Sequence, residues 1–286
     1  MSYLTYPFMQ RALIAAVLVG LCAPAVGTYL VQKKLSLMGD GIGHVAFAGV
    51  GLGILLGTSP VLVAVVVSAA GAIAMEVMRS RAKTSGDMAL AILFYGGIAT
   101  GALLISINGD SSINVQSYLF GSILTVNNSD IIVTAVLAAF VLLVTIGLRR
   151  ALFATSHDEE FARVGGVPVM LLNILLAMTA AVTVSVAMRV VGLLLVSALL
   201  VLPVASAQQL TGSFASTFAA AIGIGVVVTL AGVLLAYPVN VGPGSLIVVV
   251  AIGVFFLCAL ASRARERLFR RRHAIDATTE PVAQAT

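Results

Sequence analysis

Charge is what this sequence has least of. Lys, Arg, Asp and Glu make up 9% of its 286 residues, against about 25% in an average soluble domain. That scarcity excludes a soluble globular fold for most of the chain. Cysteine is scarce too: Cys22 and Cys258 stand alone inside apolar runs, so there is no CxxC pair and no disulfide framework. There is no Trp, and the histidines are three, His44, His157 and His273, which excludes a histidine-rich metal loop. No GxxxxGK[ST] loop is present, so the chain has no phosphate-binding ATPase site of that kind. Neither HExxH nor GxSxG occurs, and a membrane-enzyme reading lacks a nucleophile and base.

Apolar residues are abundant. They form 60% of the chain, and the mean hydropathy is +1.12. Nine apolar segments can be read, about 11–31, 40–57, 60–78, 87–107, 130–148, 169–187, 190–208, 214–236 and 244–262. Each is near the ~20 residues that a helix needs to cross a bilayer. Backbone groups in lipid must be bonded within the segment, and the runs do not alternate as barrel strands do, so the spans are helices. The fold class is all-α: a polytopic membrane protein of about nine spans, with eight as the alternative. Residues 1–262 form the membrane domain, and 263–286 a basic, then disordered tail. The N-terminus lacks a basic n-region and a small-residue cleavage site, so the first span is expected to stay in the mature protein.

The basic residues orient the chain. With the N-terminus outside and nine crossings, 14 Lys and Arg fall inside, and Arg11 and Arg189 fall outside. That asymmetry follows the positive-inside rule. The net charge of +5 is therefore read as topology and contact with lipid, not as nucleic-acid binding. The outer loop 108–129 holds an apolar core, SYLFGSILTV, too short to cross and expected to lie at the surface or dip in and out.

Most charges sit at span ends. Glu76 stands one turn before Arg79 and is read as its ion-pair partner; Asp87 begins a helix; Arg189 separates two runs. Asp40 and His44 differ. They lie in SLMGDGIGHVAFAGVGLGILLG, residues 36–57, four apart and so on one helix face. An Asp at a span centre costs about 2.5–3.5 kcal/mol on insertion scales. Carboxylate and imidazole together suit a divalent cation such as Zn²⁺ or Mn²⁺. Two ligands are an incomplete set, and a symmetric dimer would supply four. The alternatives are that Asp40 caps the helix and His44 bonds to it, or that the two relay protons. In the same segment Gly49, Gly53 and Gly57 recur every four residues, a ridge suited to close helix packing. The inner loop RRALFATSHDEEFARVGGVPV begins at Arg149. Asp158, Glu159 and Glu160 can open a short helix there, and Gly165-Gly166 can close it, giving either a docking element or a solvated connector.

Several stretches together resemble the permease subunit of the zinc/manganese branch of bacterial ABC importers. SLMGDGIGHVAFAGVGLGILLG is similar to the family's SLMGD-x-x-x-H segment. KTSGDMALAILFYGGIATG, SYLFGSILTVNNSD, HDEEFARVGGVPV, VAMRVVGLLLVSALLVLPVASA and YPVNVGPGSLIVVV follow in the family's order, over about 10–262. The resemblance implies a homodimeric permease in the bacterial cytoplasmic membrane, N-terminus outside and C-terminus inside. It implies partner cytosolic ATPase subunits and an extracytoplasmic metal-binding protein. The implied fold is related to vitamin B12 and siderophore importers. No resident cofactor is implied; the divalent cation is cargo. Asp40 and His44 match the family's metal-contacting pair, and Asp158, Glu159, Glu160, Ala162 and Gly165 occupy its ATPase-coupling loop. Gly86 stands where many relatives carry an acidic residue, so a role needing two carboxylates there is not implied. The expected cargo is zinc, with manganese or iron second. A siderophore permease and a stand-alone secondary transporter are the rivals; the 6% of aromatic residues gives the former no support.

Overall fold

The computed structural model describes residues 6–81, 86–108, 115–122, 128–188, 191–239 and 241–279. Arg189 and Lys83 lie outside the described residues, as does much of the loop 108–129. Twelve helices follow in chain order among them: α1 (Pro7–Gln32), α2 (Met38–Leu55), α3 (Pro60–Arg81), α4 (Gly86–Asn108), α5 (Val115–Phe120), α6 (Asn128–Gly147), α7 (Arg149–His157), α8 (Glu159–Val164), α9 (Val169–Ala187), α10 (Leu193–Leu210), α11 (Phe214–Val239) and α12 (Pro243–Thr279).

Each of the nine apolar segments falls on one long helix: α1, α2, α3, α4, α6, α9, α10, α11 and α12. Seven of these are long and apolar enough to cross a membrane outright, and an eighth span arises if α6 and α7, bent by 68°, are taken as one. Among the described residues the count by length and composition is therefore seven, or eight with the bent pair. α10, which starts after Gly192 at φ +88°, has 18 residues, the same length as α2.

Burial ranks the helices. In α1, α2 and α9, 72% of the most apolar stretch is buried; in α4 and α12 the share is 17%. The first three form the centre of the bundle. Pro7 starts α1, where a missing N–H costs no bond, and Pro24 lies within it. Gly225 of α11 packs on the Pro24 ring, in space that a Cβ would fill.

α2 lies between α3 and α4 on glycines. A Cβ on Gly49 would stand 2.6 Å from Cα of Ala64, and one on Gly53 would stand 2.7 Å from Cα of Pro60. Gly57 is not part of that ridge. It sits at φ +63° with nothing within 4 Å of a Cβ, so its freedom serves the turn after α2 rather than packing. On the other side, a Cβ on Gly97 of α4 would meet the His44 carbonyl oxygen at 2.6 Å.

Many buried hydroxyls are satisfied by backbone carbonyls, while the buried Ser156 Oγ has no partner. Thr28, Thr145, Thr179, Thr183, Ser206 and Thr229 each donate to the carbonyl four residues back. Between helices, Tyr29 Oη donates to the Thr145 carbonyl at 2.7 Å. Thr145 is in the last turn of α6, where carbonyls lack helical donors. Ser68 and Ser185 join α3 to α9 at 3.0 Å.

α12 corrects one expectation. It continues through Thr279, so the tail as far as that residue is helical, not disordered. RARERLFRRR is rich in strong helix formers, and it extends a helix already nucleated in the span.

The tight approach at Gly97 predicts that Gly97→Ala forces α4 away from α2 and destabilises the fold by about 1–3 kcal/mol, as overpacking does. Gly223 of α11 has nothing within 4 Å of a Cβ, and Gly223→Ala should not lower stability. Thermal unfolding of the two variants in one detergent checks this.

Candidate functional site

The N-terminal turn of α2 carries the first candidate. Leu37 occupies the N-cap with no side-chain cap bond, and Asp40 is in the first turn. Asp40 is therefore not the cap. It is near the positive end of the helix dipole, and its Oδ1 accepts a hydrogen bond from Ser197 Oγ of α10. No hydrogen bond joins His44 to Asp40 among the described residues. His44 is 9% exposed and meets the edge of the Phe94 ring, with centroids 4.3 Å apart.

A cavity of about 260 Å³ opens between α2 and α4, lined by Leu37, Asp40 and Gly41 on one side and Leu90, Ala91, Phe94 and Tyr95 on the other. Among the described residues of its lining, Asp40 carries the one carboxyl. His44 does not line it, but Phe94, against which the imidazole rests, does. The structure thus brings the two predicted residues to one helix face, with the carboxyl at the cavity and the imidazole behind an aromatic ring. Among the described residues no three His, Cys, Asp or Glu side chains come together to hold a metal ion. The Asp40–His44 pair on α2 is thus not completed by a third such side chain among them.

The second candidate is the loop after α7. Asp158 is the N-cap of α8, its Oδ1 accepting from the backbone N–H of Glu160 at 3.0 Å and of Phe161 at 2.9 Å. Gly165 ends α8, and Gly166 turns the chain at φ +78°. Ala162 faces inward, 3% exposed, while Phe161 and Val164 are 76% and 89% exposed. This short helix thus leaves two large apolar side chains bare. Glu160 is exposed.

Glu159 turns inward. Its Oε1 accepts from Lys33 Nζ at 2.6 Å, Asn173 Nδ2 at 3.1 Å and Arg79 Nη2 at 3.2 Å. Arg79 is also held by Glu76, Nε to Oε2 at 3.0 Å and Nη2 to Oε1 at 2.8 Å. Lys33 donates to Asn173 Oδ1 at 2.6 Å. Burial alone would raise the Glu159 pKa, but Lys33 and Arg79 outweigh it and hold the carboxyl below its ordinary range. Burial lowers the Lys33 ammonium, with Glu159 opposing.

Sequence reasoning named Asp40, His44 and Glu159 as candidates, Glu159 as part of the loop helix, and it paired Glu76 with Arg79, a pair the structure contains. It missed Ser197, Lys33 and Asn173. Ser197 is one serine in an apolar run and carries no local signal. Lys33 and Asn173 lie 126 and 14 residues from Glu159; unbalanced charge at span ends was the available clue, and it names no partner.

Comparison with known proteins gives the following. The model of the ABC 3 transport family matches residues 5–262. The manganese transport system membrane protein MntC of Halalkalibacterium halodurans is 32% identical over 254 residues, covering 89% of this chain and 87% of that protein. The manganese import system permease protein ScaB of Streptococcus parasanguinis is 32% identical over 271 residues, 95% of each. Among solved structures, PsaBC from Streptococcus pneumoniae in complex with Fab has a chain with a TM-score of 0.80 and 32% identity, covering 89% of this chain and 91% of that one. An inward-facing metal-chelate-type ABC transporter, at 17% identity and a TM-score of 0.66, shares the fold.

The bond from Ser197 to Asp40 predicts that Ser197→Ala lowers stability by about 1.5–3 kcal/mol, the range for a hydrogen bond to a charged group. Ser197→Thr, which keeps the hydroxyl, should lose less. Thermal unfolding of both variants against the parent measures the difference.

Proposed function

The chain belongs to the ABC 3 transport family, and from that premise we propose that it is the membrane permease subunit of an ATP-driven importer of divalent metal, acting as a homodimer. The observation that carries this reading is the pairing of Asp40, at a cavity in an apolar bundle, with His44 one turn further along α2. An intramembrane carboxyl with one oxygen engaged by Ser197 keeps acceptor capacity for a cation. Two copies would supply two carboxyls and two imidazoles, the four donors that one chain lacks.

Manganese is the cargo proposed here. The sequence motifs favoured zinc, but relatives matched over nearly their whole length are named for manganese. Mixed carboxylate and imidazole donors bind either ion, and selectivity then rests on geometry and availability rather than raw affinity. ATP is hydrolysed by a separate cytosolic subunit, for which the exposed Phe161 and Val164 of α8 offer an apolar contact. An extracytoplasmic protein delivers the ion. The membrane is the bacterial cytoplasmic membrane, with the N-terminus outside, as the 14-to-2 division of basic residues supports.

Two experiments test the reading. In vesicles holding the permease with its ATPase, the Asp40→Ala/His44→Ala variant should lose ATP-driven manganese uptake while the ATPase still copurifies. Uptake at the parent rate would remove these residues from the path, and parent uptake without any ATPase would favour a stand-alone transporter. Labelled manganese and zinc, supplied separately, settle the cargo: manganese should accumulate faster. Preferential zinc accumulation would reverse the choice of ion and leave the permease assignment standing.

A further inference from the structure

What fastens α8 to the membrane helices is a charged joint. Of its six residues, Ala162 is buried, and the large apolar side chains Phe161 and Val164 point outward. Apolar packing can contribute little with one methyl group buried. The remaining inward contact is Glu159, and a single oxygen of it accepts from three elements: Lys33 after α1, Arg79 of α3 and Asn173 of α9. Lys33 and Arg79 balance Glu159 and Glu76, so the cluster carries no net charge. Such a group contributes little net stability, yet removing one member leaves an unmatched charge that is strongly unfavourable. Its value is in fixing geometry.

Lys33 leads into the candidate site. Its side chain is 5% exposed. The next residue, Lys34, has φ +60°, the one positive φ at a non-glycine among the described residues, so the turn is held in a sparsely populated conformation. Leu35 N donates to the Leu30 carbonyl at 2.8 Å and Met38 N to the Leu35 carbonyl at 3.0 Å, so the turn has little slack before α2 and Asp40. The space enclosed by Lys33, Met38, Glu76, Arg79 and Asn173 is about 10 Å³, room for one water at most. Met38, the first residue of α2, borders this space together with Lys33.

We propose that the Glu159–Lys33 ion pair is the joint that passes displacement of α8 to the α1–α2 turn and so to Asp40, with Arg79 and Asn173 fixing its position. Lys33 is then a positioning residue: it touches neither the cation nor the ATPase, and acts through the turn. The inference rests on the permease reading and adds a route between its two ends.

The experiment uses the complete transporter, with ATPase and binding protein, in liposomes, measuring manganese accumulated and ATP hydrolysed in the same sample. Lys33→Met should keep ATP hydrolysis running while manganese moved per ATP falls about tenfold, and Lys33→Arg should restore most of the ratio. The Lys33→Met/Glu159→Gln double variant removes both charges, leaves none unmatched, and should show the same fall. A parent-like ratio in the double variant overturns the joint. So does a fall in which uptake and hydrolysis decline together at constant ratio. If the parent complex itself shows no ATP-driven manganese uptake, the permease reading fails instead, and Glu159 remains a structural ion pair.

Discussion

A polar group buried in this bundle is costly to leave unpaired, and among the described residues the buried ones are matched by other groups of the protein, with Ser156 Oγ the exception. That constraint accounts for the structure's recurrent details. Serine and threonine hydroxyls bond back to carbonyls in their own helices. Tyr29 reaches across to a carbonyl at the end of α6. Glu76 takes both nitrogens of an Arg79 fork, and Glu159 gathers three donors. Asp40 is the instructive case. Its carboxyl is matched through one oxygen by Ser197, while the residue lines a cavity. A group matched in part and open in part is where an aqueous ion can be received.

The same constraint explains why α2 has so many glycines. A helix that carries ionisable side chains near a cavity must be held rigidly, or the donors are misplaced. Gly49 and Gly53 let α3 approach backbone to backbone, Gly97 does so for α4, and Gly101 of α4 makes room for the Phe47 ring. Close contact of this kind is the main source of helix association where lipid tails compete equally for apolar surface. The packing that stabilises α2 therefore also orients Asp40 and His44.

Two features on one side of the bundle stand close together in this arrangement. α8 exposes Phe161 and Val164, and Asp40 faces its cavity. Between them run the charged cluster and the strained Lys34 turn. Full-length similarity to manganese permeases and to a solved chain of PsaBC places the fold in its family. What that fold does with a cation depends on the side chains that its helices bring together.

Composition and spacing made much of this legible. Nine apolar runs matched nine helices because length and hydropathy are local properties. Asp40 and His44 could be paired because an interval of four is a helical turn. The Asp158–Gly165 helix was readable because capping is local as well. Where the sequence reading failed, the deciding quantity was three-dimensional. Gly57 kept the ridge's spacing but lies beyond the helix, at a turn. Sequence alone therefore determined a helical membrane protein with one ionisable pair on α2. Tertiary structure alone decided that Ser197 engages Asp40, that Phe94 stands against His44, and that Glu159 meets Lys33 across 126 residues. The reason is physical: periodicity encodes which face a residue occupies, whereas the partner across that face is chosen by how helices pack.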